Sequence, residues 1–337
     1  KEGRPFRALS EMKVLISIQQ PVIQWQIPAT GVQALRQRFP DIEFIHATTP
    51  EQRAEALKDC DVAYTWILKA GEIVDAAKLK WVHTSAVAVE TICLTELAAR
   101  GIAVSNSRGV QAVPIAEHVM AVVLSFAKQL PFALEHQRSG SWAQNQFMGE
   151  RLPWLLKGKT LGVIGVGTIG SEIAARANAF GMRVIAMRRH ATTAVPGIER
   201  MFGPEQLYPF LSQCNVLVIA APLTPQTHSL LGEGQLAQLP KGAVVVNVGR
   251  AKILDTDALM NALDSGHLGG ASLDVFPQEP LPPEHRLWKT RNVILTPHTS
   301  GFRQGHWDDV VDLFGDNLER FRRGEPLQFR VEPELGY

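Results

Sequence analysis

Short apolar stretches that alternate with helical patterns are the feature that most limits the folds open to this chain. A first group of strand candidates lies at residues 13–18, 42–45, 61–66, 81–85 and 102–106. A second group lies at residues 159–165, 183–187, 216–222, 243–248, 270–276 and 292–298. The second group is nearly continuous in Val, Ile and Leu, which is typical of strands buried on both faces of a parallel sheet. The sequence therefore predicts an α/β protein with parallel sheets.

The length and the charge limit the choice further. A chain of 337 residues is long enough for two domains, and helices join the two groups of strands, so we expect a cleft between the domains. The formal net charge of +1 gives no reason to expect nucleic acid or a membrane surface as a partner. The most apolar helical pattern, residues 113–127, is too short to span a bilayer and contains Glu117 and His118. It predicts a core or interface helix, in which His118 is interpreted as structural.

The cysteines give no sign of a metal or redox site. Cys60, Cys93 and Cys214 lie far apart in the sequence and form no C-x-x-C pair. We interpret them as reduced, partly buried residues and expect no bound metal. The first ten residues lack the apolar region of a secretory signal. Together these features predict a cytoplasmic location.

A glycine-rich turn follows the first strand of the second group. Gly165, Gly167 and Gly170 form G-x-G-x-x-G between a strand and a helix. In this context each glycine has a separate role. Gly165 permits a tight turn, Gly167 lets a pyrophosphate approach the backbone, and Gly170 lets the helix pack closely on the strand. The helix N-terminus then offers N–H groups and the positive end of its dipole to the phosphates. The motif predicts a dinucleotide site; a plain glycine turn is the alternative.

Two adjacent arginines end the next strand. Many NAD-binding proteins place an Asp or Glu there, about 20 residues after the glycines, to bind the ribose 2′-hydroxyl. This chain has Arg188 and Arg189 instead, and no carboxylate follows until Glu199. An arginine binds a 2′-phosphate through charge-assisted hydrogen bonds, whereas an acid repels it. The pair therefore predicts NADP(H) as the preferred cofactor with NAD(H) possible; two solvated surface arginines are the alternative.

Polar residues suited to acid–base chemistry follow the later strands. Arg250 comes directly after one strand, Asp274 and Glu279 after the next, and His298 after the last. Arg250 offers a fixed fork for a carboxylate, and His298 is a natural proton donor near neutral pH. Glu279 is positioned in the sequence to pair with His298. Spacing alone leaves open the alternative that His298 is structural.

Several of these segments resemble the D-isomer-specific 2-hydroxyacid dehydrogenase family. The resemblance runs from about residue 106 to residue 298 and rests on GKTLGVIGVGTIG, APLTPQTHSLL, GAVVVNVGR, LDVFPQEPLP and NVILTPH, in family order. It implies a flavodoxin-like substrate domain formed by residues 1–105 plus 300–337. It also implies an inserted dinucleotide-binding Rossmann domain at residues 106–299.

The resemblance also implies residue roles. Arg250 is expected to bind the substrate carboxylate and polarise the keto oxygen, His298 to be the general acid/base, and Glu279 its partner. Asp274 is expected to hold the nicotinamide carboxamide. Further cofactor contacts are implied at Thr168, Ile169, Ala221, Pro222, Val248 and Gly249. The long apolar helix and the segment around Trp142 resemble dimer-interface elements of the family, so we expect a homodimer.

The chain departs from the family pattern at two places. A glycine-rich substrate loop is usual in the family, but this chain has Ala86, Val87 and Ala88. We still expect the backbone of this loop to face the substrate carboxylate, in a pocket of different size. The run SNSRGV places Arg108 near the expected hinge between the domains, and the sequence does not assign it a role.

The resulting functional hypothesis is an NADPH-preferring reductase of a small 2-ketoacid such as glyoxylate or hydroxypyruvate. Hydride transfer to the keto carbon and protonation of the oxygen by His298 would give the D-2-hydroxyacid. An NAD-linked dehydrogenase of another 2-hydroxyacid is the nearest alternative. A corepressor-like, cofactor-sensing binding protein with the same fold is the alternative from a different class.

Overall fold

The computed structural model describes residues 12–20, 22–149, 151–189 and 194–333. The chain divides into two compact units. Unit 1 comprises the residues up to Val110 together with those from Arg303 onward, and unit 2 comprises residues 111–302. Each unit is built on one parallel sheet, so the predicted α/β class with two parallel-sheet domains is confirmed.

Unit 1 contains a five-stranded parallel sheet. Its strands are β1 (Lys13–Ser17), β2 (Glu43–His46), β3 (Val62–Thr65), β4 (Trp81–Thr84) and β5 (Ala103–Asn106). Its helices are α1 (Ala29–Arg38), α2 (Pro50–Asp59), α3 (Leu94–Ala99) and α11 (His306–Arg323). The strand order β2-β1-β3-β4-β5 is that of flavodoxin-like sheets. In such sheets ligands bind outside the carboxyl ends of the strands.

An aromatic core joins α11 to the sheet of unit 1. The ring of Phe314 on α11 stacks on Tyr64 with 4.1 Å between centroids and lies 5.4 Å from Trp81. The apolar residues of α11 recur at helical spacing, so the whole stripe turns towards the sheet. Because α11 follows unit 2 in the chain, this packing brings residues from before and after unit 2 into one core.

A histidine is buried in the same core. His83 on β4 has no solvent exposure, and its ring lies between Ser105 and Ser107. Its Nδ1 is 2.7 Å from the Ser105 Oγ, and its Nε2 is 3.3 Å from the Ser107 Oγ. Burial lowers the pKa of His83 to about 3. The ring is therefore neutral at physiological pH and is a structural part of unit 1.

Unit 2 contains a seven-stranded parallel sheet. Its strands are β6 (Thr160–Ile164), β7 (Arg183–Met187), β8 (Arg200–Phe202), β9 (Val216–Ile219), β10 (Ala243–Asn247), β11 (Leu268–Leu273) and β12 (Val293–Leu295). The order β12-β11-β10-β9-β6-β7-β8 is doubly wound, and it reverses between β6 and β9. Such a switch point is where dinucleotides bind in this architecture.

The helices of unit 2 cover both faces of its sheet. They are α4 (Ala112–Ala127), α5 (Leu130–Arg138), α6 (Gln144–Met148), α7 (Thr168–Ala179), α8 (Leu207–Leu211), α9 (Glu233–Leu236) and α10 (Thr256–Asp264). α4 packs into one of the two cores of this sheet, as expected for a core helix. Within the described residues no single helix is long and apolar enough to cross a membrane. Helices α4 and α5 taken together are long and apolar enough, but a bend of 67° separates them.

The strand predictions are confirmed except for one omission. Each predicted apolar run contains a strand, and the differences at the strand ends are a few residues. The sequence did not reveal β8, because of its three residues only Phe202 is fully buried. It is an edge strand whose contact with β7 forms through backbone hydrogen bonds, so no apolar pattern marks it.

Candidate active site

His298 and Glu279 form a direct pair at the carboxyl edge of the unit 2 sheet. The His298 Nδ1 lies 2.8 Å from the Glu279 Oε2. The other carboxylate oxygen, Oε1, accepts a hydrogen bond from the Phe276 backbone N–H at 2.9 Å, which fixes the direction of the side chain. The His298 and Glu279 side chains are 45% and 34% exposed, so solutes can reach the pair. A carboxylate at Nδ1 orients the ring, as in other acid–base pairs.

The sheet register brings the predicted polar residues to one edge. Asn247 of β10 is paired with Leu273 of β11, and Leu273 is paired with Leu295 of β12. Arg250, Asp274 and His298 therefore all follow the carboxyl ends of three adjacent strands. Parallel strands end at the same edge of a sheet, which is why positions far apart in sequence converge here.

The loop that carries His298 is bound to Asp274. The carboxylate of Asp274, whose residue is 2% exposed, accepts hydrogen bonds from the Thr296 hydroxyl at 2.6 Å and the Thr299 N–H at 2.9 Å. It also accepts hydrogen bonds from the N–H and the hydroxyl of Ser300. Thr296 and Ser300 were not among the predicted site residues. Nothing in the sequence distinguishes these two hydroxyls, because Thr and Ser are common in loops of every kind.

Arg250 is positioned by Asn247, another residue that the sequence did not reveal. The Asn247 side chain is buried, accepts a hydrogen bond from the Gly249 N–H at 3.0 Å and donates one to the Arg250 carbonyl oxygen at 3.2 Å. It thereby closes the turn after β10. The Arg250 guanidinium is half-buried and donates to the Gly249 carbonyl oxygen at 3.0 Å. A half-buried guanidinium at a strand end suits the binding of a carboxylate.

The glycine-rich turn has the stereochemistry that a dinucleotide site requires. Gly165 has φ +95°, and a Cβ there would lie 2.6 Å from the Ala221 Cα. A Cβ on Gly170 would lie 2.4 Å from the Gly165 carbonyl oxygen, so only glycine allows α7 to pack this closely. A Cβ on Gly167 would meet no atom within 4 Å, which leaves space in front of the helix N-terminus. The first turn of α7 contains no acidic residue to oppose a phosphate.

The other predicted cofactor contacts lie around this turn. Thr168 and Ile169 open α7, and the segments 221–222 and 248–249 follow β9 and β10. These two segments touch, since a Cβ on Gly249 would lie 2.8 Å from the Ala221 carbonyl oxygen. The residues present therefore fit a bound dinucleotide at the switch point.

Arg188 and Arg189 lie where the sequence predicts them, directly after β7. Arg188 is half-buried, and its backbone N–H donates to the Phe202 carbonyl oxygen of β8 at 3.2 Å. Arg189 is exposed. The backbone bond fixes Arg188 at the tip of β7, next to β6 and its glycine turn. His190, which follows the two arginines, lies outside the described residues.

The predicted substrate loop of unit 1 has a defined backbone. The Ala86 carbonyl oxygen accepts a hydrogen bond from the Ser107 N–H at 3.0 Å, and the Val87 carbonyl oxygen accepts one from the Asn106 Nδ2 at 2.8 Å. Within the described residues, the N–H groups of Val87 and Ala88 donate no hydrogen bond. Two consecutive N–H groups of this kind suit an anion. The loop follows β4 at the carboxyl edge of the sheet.

Arg108 contacts the C-terminal segment of unit 1. Its guanidinium lies over the Phe329 ring, with the Cζ atom 5.6 Å from the centroid. Its backbone N–H donates to the Asn106 Oδ1 at 3.3 Å. The contact is a cation–π interaction within unit 1.

His118 and two of the cysteines are at least partly buried, and burial shifts their pKa values. His118 on α4 is half-buried, and burial lowers its pKa, although the charge of Asp274 acts in the opposite direction. Cys60 and Cys214 are buried, and burial raises the pKa of the Cys60 thiol to about 12. In the described part of the chain, no three or more His, Cys, Asp or Glu side chains are grouped in a way that could hold a metal ion.

Comparison with known proteins places these features in a family. Residues 120–300 match the family model described as D-isomer specific 2-hydroxyacid dehydrogenase, NAD binding domain. The glyoxylate reductase of Thermococcus gammatolerans is 34% identical over 324 residues, which cover 92% of this chain and 94% of that protein. The glyoxylate reductase of Korarchaeum cryptofilum is 32% identical over 308 residues, which cover 89% of this chain and 92% of that protein.

Solved structures of other proteins have a similar fold along almost the whole length of this chain. A probable 2-hydroxyacid dehydrogenase from Rhizobium etli in complex with NADP has a TM-score of 0.82 and 26% identity. An NADPH-dependent glyoxylate/hydroxypyruvate reductase from Sinorhizobium meliloti in complex with NADP has the same TM-score and identity. Each comparison covers 97% of this chain and 100% of the other.

Proposed function

Because the chain belongs to the D-isomer specific 2-hydroxyacid dehydrogenase family and is an NAD(P)-dependent oxidoreductase, we propose that it reduces a small 2-ketoacid with NADPH. The substrate class is of the glyoxylate or hydroxypyruvate type, and the product is the D-2-hydroxyacid. The observation that carries the proposal is the 2.8 Å contact between His298 and Glu279 at the edge of a dinucleotide-binding sheet. A binding protein needs no such oriented proton donor. The names of the Thermococcus, Korarchaeum and Sinorhizobium proteins support the substrate class.

The cofactor is assigned to the switch point of unit 2. A bound NADPH supplies a hydride to the keto carbon. The N–H groups of Thr168 and Ile169, at the start of α7, bind the pyrophosphate, and the space in front of Gly167 admits it. Arg188 binds the 2′-phosphate of the adenine ribose, with Arg189 as a second cation. The NADP in the Rhizobium and Sinorhizobium structures supports this preference.

The substrate is oriented by Arg250 and protonated by His298. The Arg250 fork binds the carboxylate and polarises the keto oxygen, because its planar guanidinium matches both acceptors. His298 delivers the proton from Nε2, since Nδ1 is bonded to Glu279. Glu279 stabilises the charged ring before transfer and keeps its orientation afterwards. We assign unit 1 the role of substrate domain, with the Val87 and Ala88 N–H groups directed to the substrate carboxylate.

A homodimer is the proposed assembly. Trp142 is 89% exposed, and five apolar side chains close to it in the sequence are also exposed: Leu130, Leu134, Met148, Leu152 and Leu155. Large exposed apolar side chains that form one patch mark a protein interface. The resemblance to family dimer elements at Trp142 supports the same conclusion. The cytoplasmic location predicted from the sequence stays a prediction.

An assay of NADPH oxidation with a panel of 2-ketoacids tests the proposal. We expect turnover with glyoxylate and hydroxypyruvate and a D-2-hydroxyacid as the product on a chiral column. Faster turnover with NADH, or with a larger 2-ketoacid, would favour the NAD-linked dehydrogenase of another 2-hydroxyacid. Tight NADPH binding with no turnover on any 2-ketoacid would favour the corepressor-like alternative.

A further inference from the structure

The substrate loop of unit 1, residues 85–93, is bonded at both ends to one short segment. This segment, residues 65–68, begins with the last residue of β3, the neighbour of β4 in the sheet. At the first end of the loop, the Ser85 N–H donates to the Thr65 carbonyl oxygen at 3.2 Å. Two more backbone bonds join the far end: Leu68 N–H to the Thr91 oxygen at 3.0 Å, and Cys93 N–H to the Leu68 oxygen at 2.9 Å. The position of the loop therefore depends on the position of residues 65–68.

Arg53 on α2 binds this segment at two points. Its Nη1 donates to the Thr65 hydroxyl oxygen at 3.1 Å, and its Nη2 donates to the Ile67 carbonyl oxygen. Nη1 also donates to the Ser17 hydroxyl oxygen at 3.3 Å, at the end of β1. The Arg53 side chain is only 15% exposed. A planar guanidinium presents its donors in fixed directions, so it can fix two points of one segment together.

Glu72 is the charge partner of Arg53. Its Oε1 lies 2.7 Å from the Arg53 Nε, and its Oε2 accepts a hydrogen bond from the Arg53 Nη2 at 3.2 Å. Oε2 also accepts the Lys69 N–H at 2.7 Å, directly after the segment. Arg53 needs this partner, because an unpaired charge is unfavourable at so low an exposure. The ion pair therefore holds residues 65–69 from two sides of the sequence.

The part of the loop between its two bonded ends carries the anion-binding groups. Within the described residues, the N–H groups of Val87 and Ala88 donate no hydrogen bond. An anion site made of backbone N–H groups depends on the conformation of the chain, since the direction of each N–H is set by the backbone. A shift of the bonded ends therefore changes the directions of both donors.

We propose that Arg53, paired with Glu72, is a positioning residue for the substrate loop and thereby sets the affinity for the substrate carboxylate. The proposal rests on the proposed function, in which the Val87 and Ala88 N–H groups bind that carboxylate. Loss of the ion pair lets residues 65–68 shift, and the loop shifts with them. The carboxylate is bound in the ground state and in the transition state alike, so the effect falls on KM and leaves kcat unchanged.

Matched substitutions test the proposal. Arg53→Met removes the guanidinium, Glu72→Gln removes the partner charge, and Arg53→Lys keeps the charge without the planar fork. We expect the KM for glyoxylate to rise about tenfold in the first two variants, as for loss of a hydrogen bond to a charged group. Arg53→Lys should recover part of this loss. In all three variants kcat and the Kd for NADPH should keep their wild-type values, because unit 2 holds the cofactor site.

An exposed ion pair on the same helix provides the control. Lys58 lies 2.6 Å from Glu55 on α2, and the two side chains are 53% and 77% exposed. Lys58→Met should leave the KM unchanged, since exposed pairs contribute little. The double variant of Arg53→Met with Glu72→Gln should lose no more than Arg53→Met alone, because the two residues act as one unit.

Two readouts need no turnover. Oxalate, a dicarboxylate, probes the anion site directly: its Kd for the NADPH-bound protein should rise by the same factor as the KM. Hydrogen exchange of the Leu68 and Cys93 amides should become faster in Arg53→Met and Glu72→Gln, but not in Lys58→Met. The amide of Val82, in the middle of the sheet, should exchange at the wild-type rate in all of them.

Three outcomes would overturn the inference. The first is an unchanged KM in both Arg53→Met and Glu72→Gln. The second is faster exchange of the Val82 amide by the same factor as Leu68, which would assign Arg53 to the general stability of unit 1. If the wild-type protein reduces no 2-ketoacid, the proposed function fails. Oxalate affinity and Leu68 exchange then still decide whether Arg53 positions the loop, and wild-type values of both in Arg53→Met are the third outcome.

Discussion

At the scale of single residues, the side chains of the candidate site are held in place by other residues. Glu279 holds the His298 ring at 2.8 Å and is itself fixed by the Phe276 N–H. Asn247 closes the turn that presents Arg250. A single substitution at such a position therefore changes either the reacting group or its orientation, and kinetics can distinguish the two.

Replacing the proposed general acid, His298, should remove most of the activity. His298→Ala is expected to lower kcat by about 10²-fold or more, since general acid catalysis typically contributes that much. NADPH binding should remain, because the ring takes no part in the glycine turn. His267→Gln is the control: this histidine precedes β11 at the opposite edge of the sheet. Near-normal turnover in His298→Ala, with the cofactor bound, would remove His298 from the mechanism.

The arginine at the tip of β7 should set the cofactor preference. Arg188→Asp removes the cation from the 2′-phosphate and adds a like charge, while it offers an acceptor to the hydroxyls of NADH. A hydrogen bond to a charged group contributes roughly 1.5–3 kcal/mol, so the preference should move toward NADH by about 10-fold or more. The measurement is kcat/KM for NADPH and NADH.

Arg183→Ala provides the matched control for this test. Arg183 begins the same strand at its other end and forms an ion pair with Glu199 at 2.7 Å. Its loss should leave the cofactor preference unchanged. A wild-type protein that favours NADH, or an Arg188→Asp variant with an undiminished NADPH preference, would identify the arginine pair as surface charge.

At the scale of elements, the site is made by the segments that follow strands. Most residues of the central strands are buried and serve to place the loops, whereas the loops carry the polar residues of the candidate site. In the glycine turn between β6 and α7, a Cβ on Gly165 or on Gly170 would overlap backbone atoms. These two positions therefore cannot accept a side chain unless the backbone moves.

A methyl group in this turn should destabilise unit 2. Gly170→Ala places a Cβ 2.4 Å from the Gly165 carbonyl oxygen, so the helix must move away from the strand. We expect the free energy of unfolding to fall by about 1–3 kcal/mol and NADPH binding to weaken. Urea denaturation and a cofactor titration measure the two effects.

Gly234→Ala is a control in the same unit. A Cβ at Gly234 would lie 4.0 Å from the nearest atom, the Tyr208 hydroxyl oxygen, so it meets no steric conflict. This substitution should be neutral or stabilise the protein by about 0.4–1 kcal/mol. Equal effects of the two substitutions would contradict the packing argument for Gly170.

At the scale of the whole molecule, one chain forms two units that differ in how their cores are completed. Unit 2 is a continuous segment, whereas unit 1 needs α11 from the C-terminal part to cover Tyr64 and Trp81. His83 is enclosed in this core as a neutral ring bonded to two serines. The stability of unit 1 is therefore linked to pH through a residue that has no part in the proposed chemistry.

Acid should destabilise unit 1 through His83. The pKa of His83 is about 3 in the folded protein and about 6.5 in an unfolded chain, so between these values the unfolded state binds the proton and the folded state does not. The contribution of His83 is fully present above pH 6.5 and decreases as the pH falls, by about 1.4 kcal/mol per pH unit. Urea denaturation between pH 4.5 and 7 measures this slope.

A variant isolates the contribution of His83. His83→Gln keeps a polar side chain for the two serines and does not titrate, so its slope should be smaller than that of the wild-type protein. The lowered pKa values of His46 and His306, both in unit 1, add to the wild-type slope and remain in the variant. Identical slopes in the two proteins would show that His83 does not control the acid sensitivity.

The sequence by itself determined the features that depend on neighbouring residues. Buried strands appear in the sequence as continuous apolar runs. The strand–turn–helix unit appears as an apolar run, three spaced glycines and an amphipathic segment. Both patterns can be read from the sequence because periodicity and local sterics act over a few positions. The positions of Arg188 and His298 at strand ends follow from the same local patterns. The residue pattern left the pairing of His298 with Glu279 open, and the family resemblance supplied the expected partner.

Only the tertiary structure decided the contacts between distant positions. β8 exists because its backbone pairs with β7, Asp274 binds Thr296 and Ser300 more than 20 residues away, and α11 completes a core that begins at β1. Such contacts depend on strand register and on the shape of the packed interior. The residues of one contacting segment do not determine either of these. The sequence does not distinguish a buried aspartate from an exposed one. The fold decides which hydrogen-bond donors surround the buried carboxylate.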